Sequence, residues 1–98
     1  MTDRMIILLN ENWSLGYDKH QWMIRKRKKR GDETYWHAVS FIASEKWILE
    51  RNLDELGIQI NPEARAYLDA MPDTFKEWYS TSDAEMQRLT EQNKEAAE

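Results

Sequence analysis

Cysteine is absent from the chain, which removes disulfides, thiolate nucleophiles and every cysteine-ligated zinc site, and fits a reducing compartment. Glycine occurs three times and proline twice. The glycines, Gly16, Gly31 and Gly57, are isolated from one another, so neither a phosphate-binding loop nor a dinucleotide fingerprint can form. No G-x-S-x-G elbow is present. The two histidines, His20 and His37, have no partner at metal-ligand spacing. The longest aliphatic run, residues 5–9, falls far short of the roughly 20 residues of a membrane span. These absences leave no catalytic constellation. The chain therefore reads as a non-enzymatic, soluble, cytoplasmic protein that takes no cofactor and no metal and has no membrane partner.

What the chain does have is charge, unevenly placed. Its 14 Lys/Arg and 18 Asp/Glu sum to −4. Residues 1–42 hold eight cations and five carboxylates, whereas residues 43–98 hold six and thirteen. Six consecutive cations, residues 25–30, stand inside this acidic whole. A basic patch attracts anions locally, although screening over about 8 Å at physiological salt weakens long-range steering. Ninety-eight residues support one core, with roughly 60–70% of the unfolded surface buried.

Residues 13–42 alternate with period two. Trp13, Leu15 and Tyr17, then Trp22 and Ile24, then Val39 and Phe41 are the apolar members, which predicts a three-stranded meander. Gly31-Asp32 has glycine at the first central position of a two-residue loop, as a type II′ turn requires. That turn predicts the pairs Ile24–Val39, Trp22–Phe41, Arg27–Trp36 and Arg25–Ala38. A two-residue loop at Asp18-Lys19 predicts Leu15–Trp22 and Trp13–Ile24. Both turns send the same residues inward, and a slip of one position would turn every side chain over. The segment of residues 6–9 is open as a short fourth strand.

After Phe41 the period becomes helical. Ser44 is the expected N-cap of a helix over residues 44–56, with the stripe Leu49, Leu53 and Leu56, and Gly57 ends it. Asn61 caps a second helix with Pro62 at its first position and Ala64, Tyr67, Leu68 and Met71 on one face. Phe75, Trp78 and Tyr79 predict a short third helix. Ser82 and Glu85 have capping-box spacing, but the helix they would start carries only Met86 and Leu89 as large apolar residues. The predicted architecture is α+β: a three-stranded antiparallel meander packed on one face by helices, with a helical C-terminal half. Residues 1–80 form one domain and residues 81–98 a weakly anchored acidic helix or tail.

With the apolar set inward, alternation assigns Ser14, Gly16, Met23, Arg25, Arg27, Lys29, Thr34, Trp36, Ala38 and Ser40 to the outer face. An arginine there faces a tryptophan across the strands. This is either a solvated cation–π pair, contributing about 0.5–1 kcal/mol, or a binding patch ringed by small residues, since Arg and Trp are enriched at hot spots. On the second reading Trp36, Arg25 and Arg27 are central, and Met23 and Lys29 peripheral. Trp47 lies about 160° around its helix from Leu49. Either the Phe75, Trp78 and Tyr79 cluster folds over it, which is the favoured expectation, or it is a second exposed anchor.

The segment "WMIRKRKKRG" followed by "YWHAVSFIASEKW", within residues 13–57, resembles the three-stranded DNA-reading domains of plant AP2 factors and of phage integrase arm-binding domains. The resemblance implies a sheet laid in the major groove, with Arg25 and Arg27 on DNA. In size, composition and layout the chain also resembles small accessory proteins of bacteriophages and prophages, including inhibitors of host defence of the anti-CRISPR class. That resemblance implies a bacterial host cytoplasm and a host protein or nucleoprotein complex occluded by protein–protein contact. Occlusion is the leading expectation and DNA binding the alternative, while a homodimer is open because a half-exposed sheet edge can find a symmetric mate.

Overall fold

The computed structural model describes residues 4–80. The expected Ser82–Glu85 capping box and the tail of residues 81–98 lie outside the described residues. Four strands, β1 (Arg4–Leu8), β2 (Trp13–Tyr17), β3 (Trp22–Arg30) and β4 (Glu33–Ile42), form one antiparallel meander in sequence order. Three helices follow: α1 (Lys46–Glu55), α2 (Pro62–Ala70) and α3 (Phe75–Tyr79). The fold is α+β, with four strands where three were predicted. The extra strand begins at Arg4, earlier than the aliphatic run, and carries a bulge between Met5 and Ile7.

The β3–β4 turn forms as predicted. Gly31 has φ +61° and Asp32 does not have positive φ, the combination that distinguishes type II′ from type I′. The β2–β3 connection differs. It is a four-residue loop, Asp18 to Gln21, in which the Asp18 carboxylate accepts the backbone N–H of His20 at 2.7 Å, that of Gln21 at 3.0 Å and the Gln21 side-chain amide at 3.2 Å. An aspartate bonding its own backbone two residues on supplies the bend that a two-residue loop would need from positive φ. Leu15 therefore pairs with Ile24 and Tyr17 with Trp22, two positions from the expected pairs. Because side chains alternate with period two, that displacement leaves every one on its predicted face.

A one-residue displacement occurs in β4 and has the opposite consequence. Arg27 pairs with Trp36 and Arg25 with Ala38 as predicted, but beyond them Ile24 pairs with Ser40, Met23 with Phe41 and Trp22 with Ile42. Val39 is the extra residue of the bulge. The predicted inward positions of Val39 and Phe41 are thus overturned: they are 40% and 56% exposed, and Ile42 is buried in their place. Ser40 correspondingly leaves the outer face. The cause lies around Trp22, whose ring meets Phe75 at 5.4 Å and Trp78 at 6.2 Å between centroids. A fourth ring would overpack that corner, while the smaller Ile42 fills it.

The core is a layer between the inner sheet face and the helices. Leu15, Tyr17, Trp22, Ile24 and Ile42 meet Leu49 and Leu53 of α1, Ala64 and Leu68 of α2 with Met71 beyond it, and Phe75 and Trp78 of α3. Burial of each large aliphatic side chain contributes about 1.5–3 kcal/mol. Asn61 caps α2 by accepting from the Ala64 N–H at 2.7 Å, with Pro62 at the first position. Gly57, at φ +67°, ends α1.

Two expectations for α1 fail. Glu45, not Ser44, is its N-cap and makes no side-chain capping bond, because this segment bonds elsewhere: Phe75 donates to the Ser44 carbonyl and Lys46 to that of Asp73, both at 2.7 Å. Leu56 is 42% exposed, since the chain has already turned away from the core at the helix end. The Lys46 ammonium instead closes the far end of α2, donating to the carbonyls of Leu68 and Met71 at 3.0 Å each. The Leu68 carbonyl also accepts the Met71 N–H at 3.2 Å, and both carbonyls lie at the C-terminal end of the helix, which favours a cation.

Burial alone would raise the Asp18 carboxyl, but its bonds from His20 N–H and the Gln21 side chain and N–H, with the nearby His20 charge, outweigh it and hold the group below its ordinary value. A depressed folded-state pKa stabilises the fold above the ordinary carboxylate pKa, about 3.9, and that stabilisation is lost as pH falls through the folded value. Asp18→Asn should therefore be less stable than the wild type at neutral pH, with the gap closing toward strongly acid pH. Urea-unfolding midpoints across pH check this, and a gap independent of pH contradicts it.

Candidate binding surface on the outer sheet face

β3 changes character halfway along. Residues 22–25 are buried whichever face they take, whereas residues 26–30 are exposed on both faces. The β3–β4 ribbon that starts at Lys26 is flanked by β2 only at its base, where Lys26 pairs with Trp13 and the Arg27 N–H donates to the Asn12 carbonyl at 2.8 Å; from Lys28 onward the two strands stand alone beyond the helical layer. One face of the ribbon carries Arg27 and Lys29 opposite Trp36 and Thr34; the other carries Lys26, Lys28 and Arg30 opposite His37, Tyr35 and Glu33.

The predicted site residues divide accordingly. Arg27, directly across from Trp36, places its guanidinium carbon 4.9 Å from the indole centroid, and Arg25 reaches the same ring at 5.7 Å. Two cations thus bracket one half-buried tryptophan. Lys29 is exposed. Met23 and Arg25, predicted to be open to a partner, are buried at 4% and 5% exposure. For Arg25 the reason is Gly16. A Cβ there would stand 2.7 Å from Arg25 Nε, 2.8 Å from its Cζ and 2.8 Å from the Arg4 carbonyl oxygen. The missing side chain lets the guanidinium lie flat across the sheet, where Nε donates to Ser14 Oγ at 3.2 Å and a terminal nitrogen approaches Met5 Sδ at 3.4 Å. Arg25 is therefore a support beneath Trp36, and the solvent-facing cations of this face are Arg27 and Lys29.

Trp47 is 58% exposed, and its indole N–H donates to the Glu45 carboxylate at 2.8 Å. The favoured expectation, a cover of Phe75, Trp78 and Tyr79, is overturned, because Tyr17 draws those rings to the sheet: Trp78 stands edge-on to it at 4.9 Å and Tyr79 at 6.3 Å. On the inner side of the ribbon's base Lys26 sits 5.6 Å from the Trp13 ring centroid, a pairing the sequence reading missed. Its signal was the four-residue loop, which moves Trp13 opposite Lys26.

Two further features went unpredicted. The outer face carries an apolar row, since Met5 pairs with Gly16, Gly16 with Met23, and Met23 with Phe41; only the bulge brings Phe41 there. An open groove of 660 Å³ is lined by Leu8, Asn10, Glu11, Asn12, Arg27 and Asn61. The asparagine and glutamate cluster "NEN" at residues 10–12 was its visible trace. Much of that polarity is structural. Asn10 Oδ1 accepts from the N–H groups of Asn12 and Trp13 at 2.7 and 3.0 Å, and its amide donates to the Gln59 carbonyl at 2.6 Å.

Among the described residues no group of three or more His, Asp or Glu could hold a metal ion, and no helix is long and apolar enough to cross a membrane. The chain matches no protein-family model, no curated protein and no solved structure.

Gly16→Ala should destabilise the fold by about 1–3 kcal/mol, because the new methyl meets a backbone carbonyl that cannot swing aside. It should also loosen Arg25 from Ser14. Thermal unfolding with NMR of the Arg25 Nε–H measures both, and an unshifted midpoint with an intact Nε–H signal contradicts the packing described.

Proposed function

We propose that this protein is a non-catalytic binding module that takes nucleic acid on the β3–β4 ribbon. The observation carrying this reading is the ribbon itself: cations exposed on both faces of two paired strands that stand clear of the acidic helices. Within residues 25–37 six cations oppose two carboxylates, Asp32 and Glu33, so the local balance is strongly positive in a chain whose total is −4. Phosphate affinity follows that local density. A two-stranded ribbon has the width of the DNA major groove, and Trp36, Tyr35 and His37 interleave ring surface with the charge. Exposed aromatic rings among cations suit unstacked bases as well.

A second reading, occlusion of a host complex in the manner of phage-encoded inhibitors, draws on different residues. Phe41, Trp47 and Val39 are each at least 40% exposed, and exposed apolar groups beside cations are typical of protein contact sites. Arg25 and Met23, central and peripheral to that reading as predicted, contribute to it only from beneath.

Polarisation of labelled duplex and single-stranded oligonucleotides across a salt series tests the proposal. Binding should weaken steeply with salt, and Arg27→Ala with Lys29→Ala should reduce the duplex slope by about 2, since each lost phosphate contact removes about 0.9. No retention at low salt, or a double variant with unchanged slope, overturns it. Loss of a lysate partner on Phe41→Ser with Trp47→Ser, and no nucleic-acid binding, would establish the second reading.

A further inference from the structure

The two edges of the sheet are finished differently. At β1 the Asn61 backbone N–H donates to the Leu9 carbonyl at 2.9 Å and its side-chain amide to the Leu8 carbonyl at 3.2 Å, so the segment leading into α2 seals the end of that edge. β4 is the opposite edge. In a hairpin closed by a two-residue turn the closing pair, here Arg30 with Glu33, exchanges both hydrogen bonds, and bonded pairs alternate from there. Thr34, Trp36 and Ala38 consequently turn their N–H and C=O groups away from β3. Among the described residues nothing bonds to that row.

Natural edge strands are guarded by charge, proline, brevity or bulges. β4 is ten residues long, and residues 34–44, "TYWHAVSFIAS", contain no Lys, Arg, Asp, Glu or Pro. Its one guard is the bulge at Val39, which leaves the row from Thr34 to Ala38 straight. Tyr35, Val39 and Phe41 along it are 47%, 40% and 56% exposed.

We propose that this edge pairs antiparallel with the β4 edge of a second copy, joining two four-stranded sheets across a two-fold axis. An antiparallel strand is complementary to itself, so one operation satisfies both rows of unpaired groups. From Thr34 to Ile42 the strand carries no Lys, Arg, Asp or Glu, so its own repetition brings no like charges face to face. The charge of the rest of the chain selects the same arrangement. Antiparallel order lays each basic ribbon beside the end of the other copy's β4, where Glu45 opens the helical segment, which among the described residues holds eight carboxylates against four cations. Parallel order would set ribbon beside ribbon. The axis stands perpendicular to the sheet, so Arg27 and Lys29 of both copies fall on one continuous outer face. The pairing stands whether the ribbon takes nucleic acid or protein.

Analytical ultracentrifugation and concentration-dependent amide exchange on the full chain test it. Dimer should form as concentration rises, and the Thr34 and Trp36 amides should slow with it, by about tenfold where nine-tenths of the protein is dimeric, because exchange proceeds through the monomer. Tyr35→Lys and, separately, His37→Lys place like charges one residue from the axis, which the row from Thr34 to Ala38 centres on Trp36, at exposed positions, and should return the protein to monomer with an unchanged circular dichroism spectrum. Four results overturn the proposal: a monomer at all concentrations, a dimer whose β4 amides exchange as fast as in the monomer, protection independent of concentration, and protection that appears only when an oligonucleotide is added.

Discussion

The Arg25 guanidinium, laid across a position with no side chain, is the contact on which the outer face depends. It fills the trough over Gly16, bonds Ser14, reaches Met5 on the edge strand and meets the Trp36 ring. It therefore ties all four strands together on the side that the described helices leave bare. A charged side chain at 5% exposure is tolerable only when its donors are engaged, and at Arg25 the sheet supplies partners on the strands to either side. Past this residue the side chains of β3 are exposed on either face, and after Arg27 the sheet narrows to a ribbon.

That transition separates the molecule into two chemical regions. One end is a sheet-and-helix layer whose charges are local: Arg65 bridges Glu50 of α1 and Asp69 of α2, and Arg51 pairs with Glu55. Exposed pairs of this kind contribute little individually. The other end is a cationic hairpin arm, held in register by a type II′ turn and braced at its base by Lys26 over Trp13 and by Arg27 over Trp36. Cations stacked on rings lose part of their conformational freedom in advance, which reduces the entropy lost when a partner orders them.

Much of this was legible in the residues. Gly31-Asp32 specified the hairpin and with it the Arg27–Trp36 pair, because a two-residue turn leaves one register. Pro62 after Asn61, and Gly57 after the leucine stripe, marked helix ends through backbone constraints that act locally. The Asp18 loop was misread in length, yet Leu15, Trp22 and Ile24 kept their faces, since a displacement of two conserves parity. The β4 bulge did not conserve it. Val39 and Phe41 alternate as inward residues would, and nothing in their own neighbourhood signals the extra position; the rings of Phe75 and Trp78, more than thirty residues away in the chain, decide it. Trp47 failed similarly, because the rings expected to cover it are drawn to Tyr17 instead.

Taken alone, the order of residues determined the fold class, the hairpin, the helix boundaries to within a residue or two and the presence of a basic, aromatic strand in an acidic chain, because turn geometry, capping and side-chain alternation act over a few bonds. Only the tertiary structure decided which of those cations face solvent, that Arg25 and Met23 lie underneath, and that Phe41 points out while Ile42 points in. Those outcomes depend on the volume available between segments distant in sequence, and close packing admits a side chain only where its neighbours have left room.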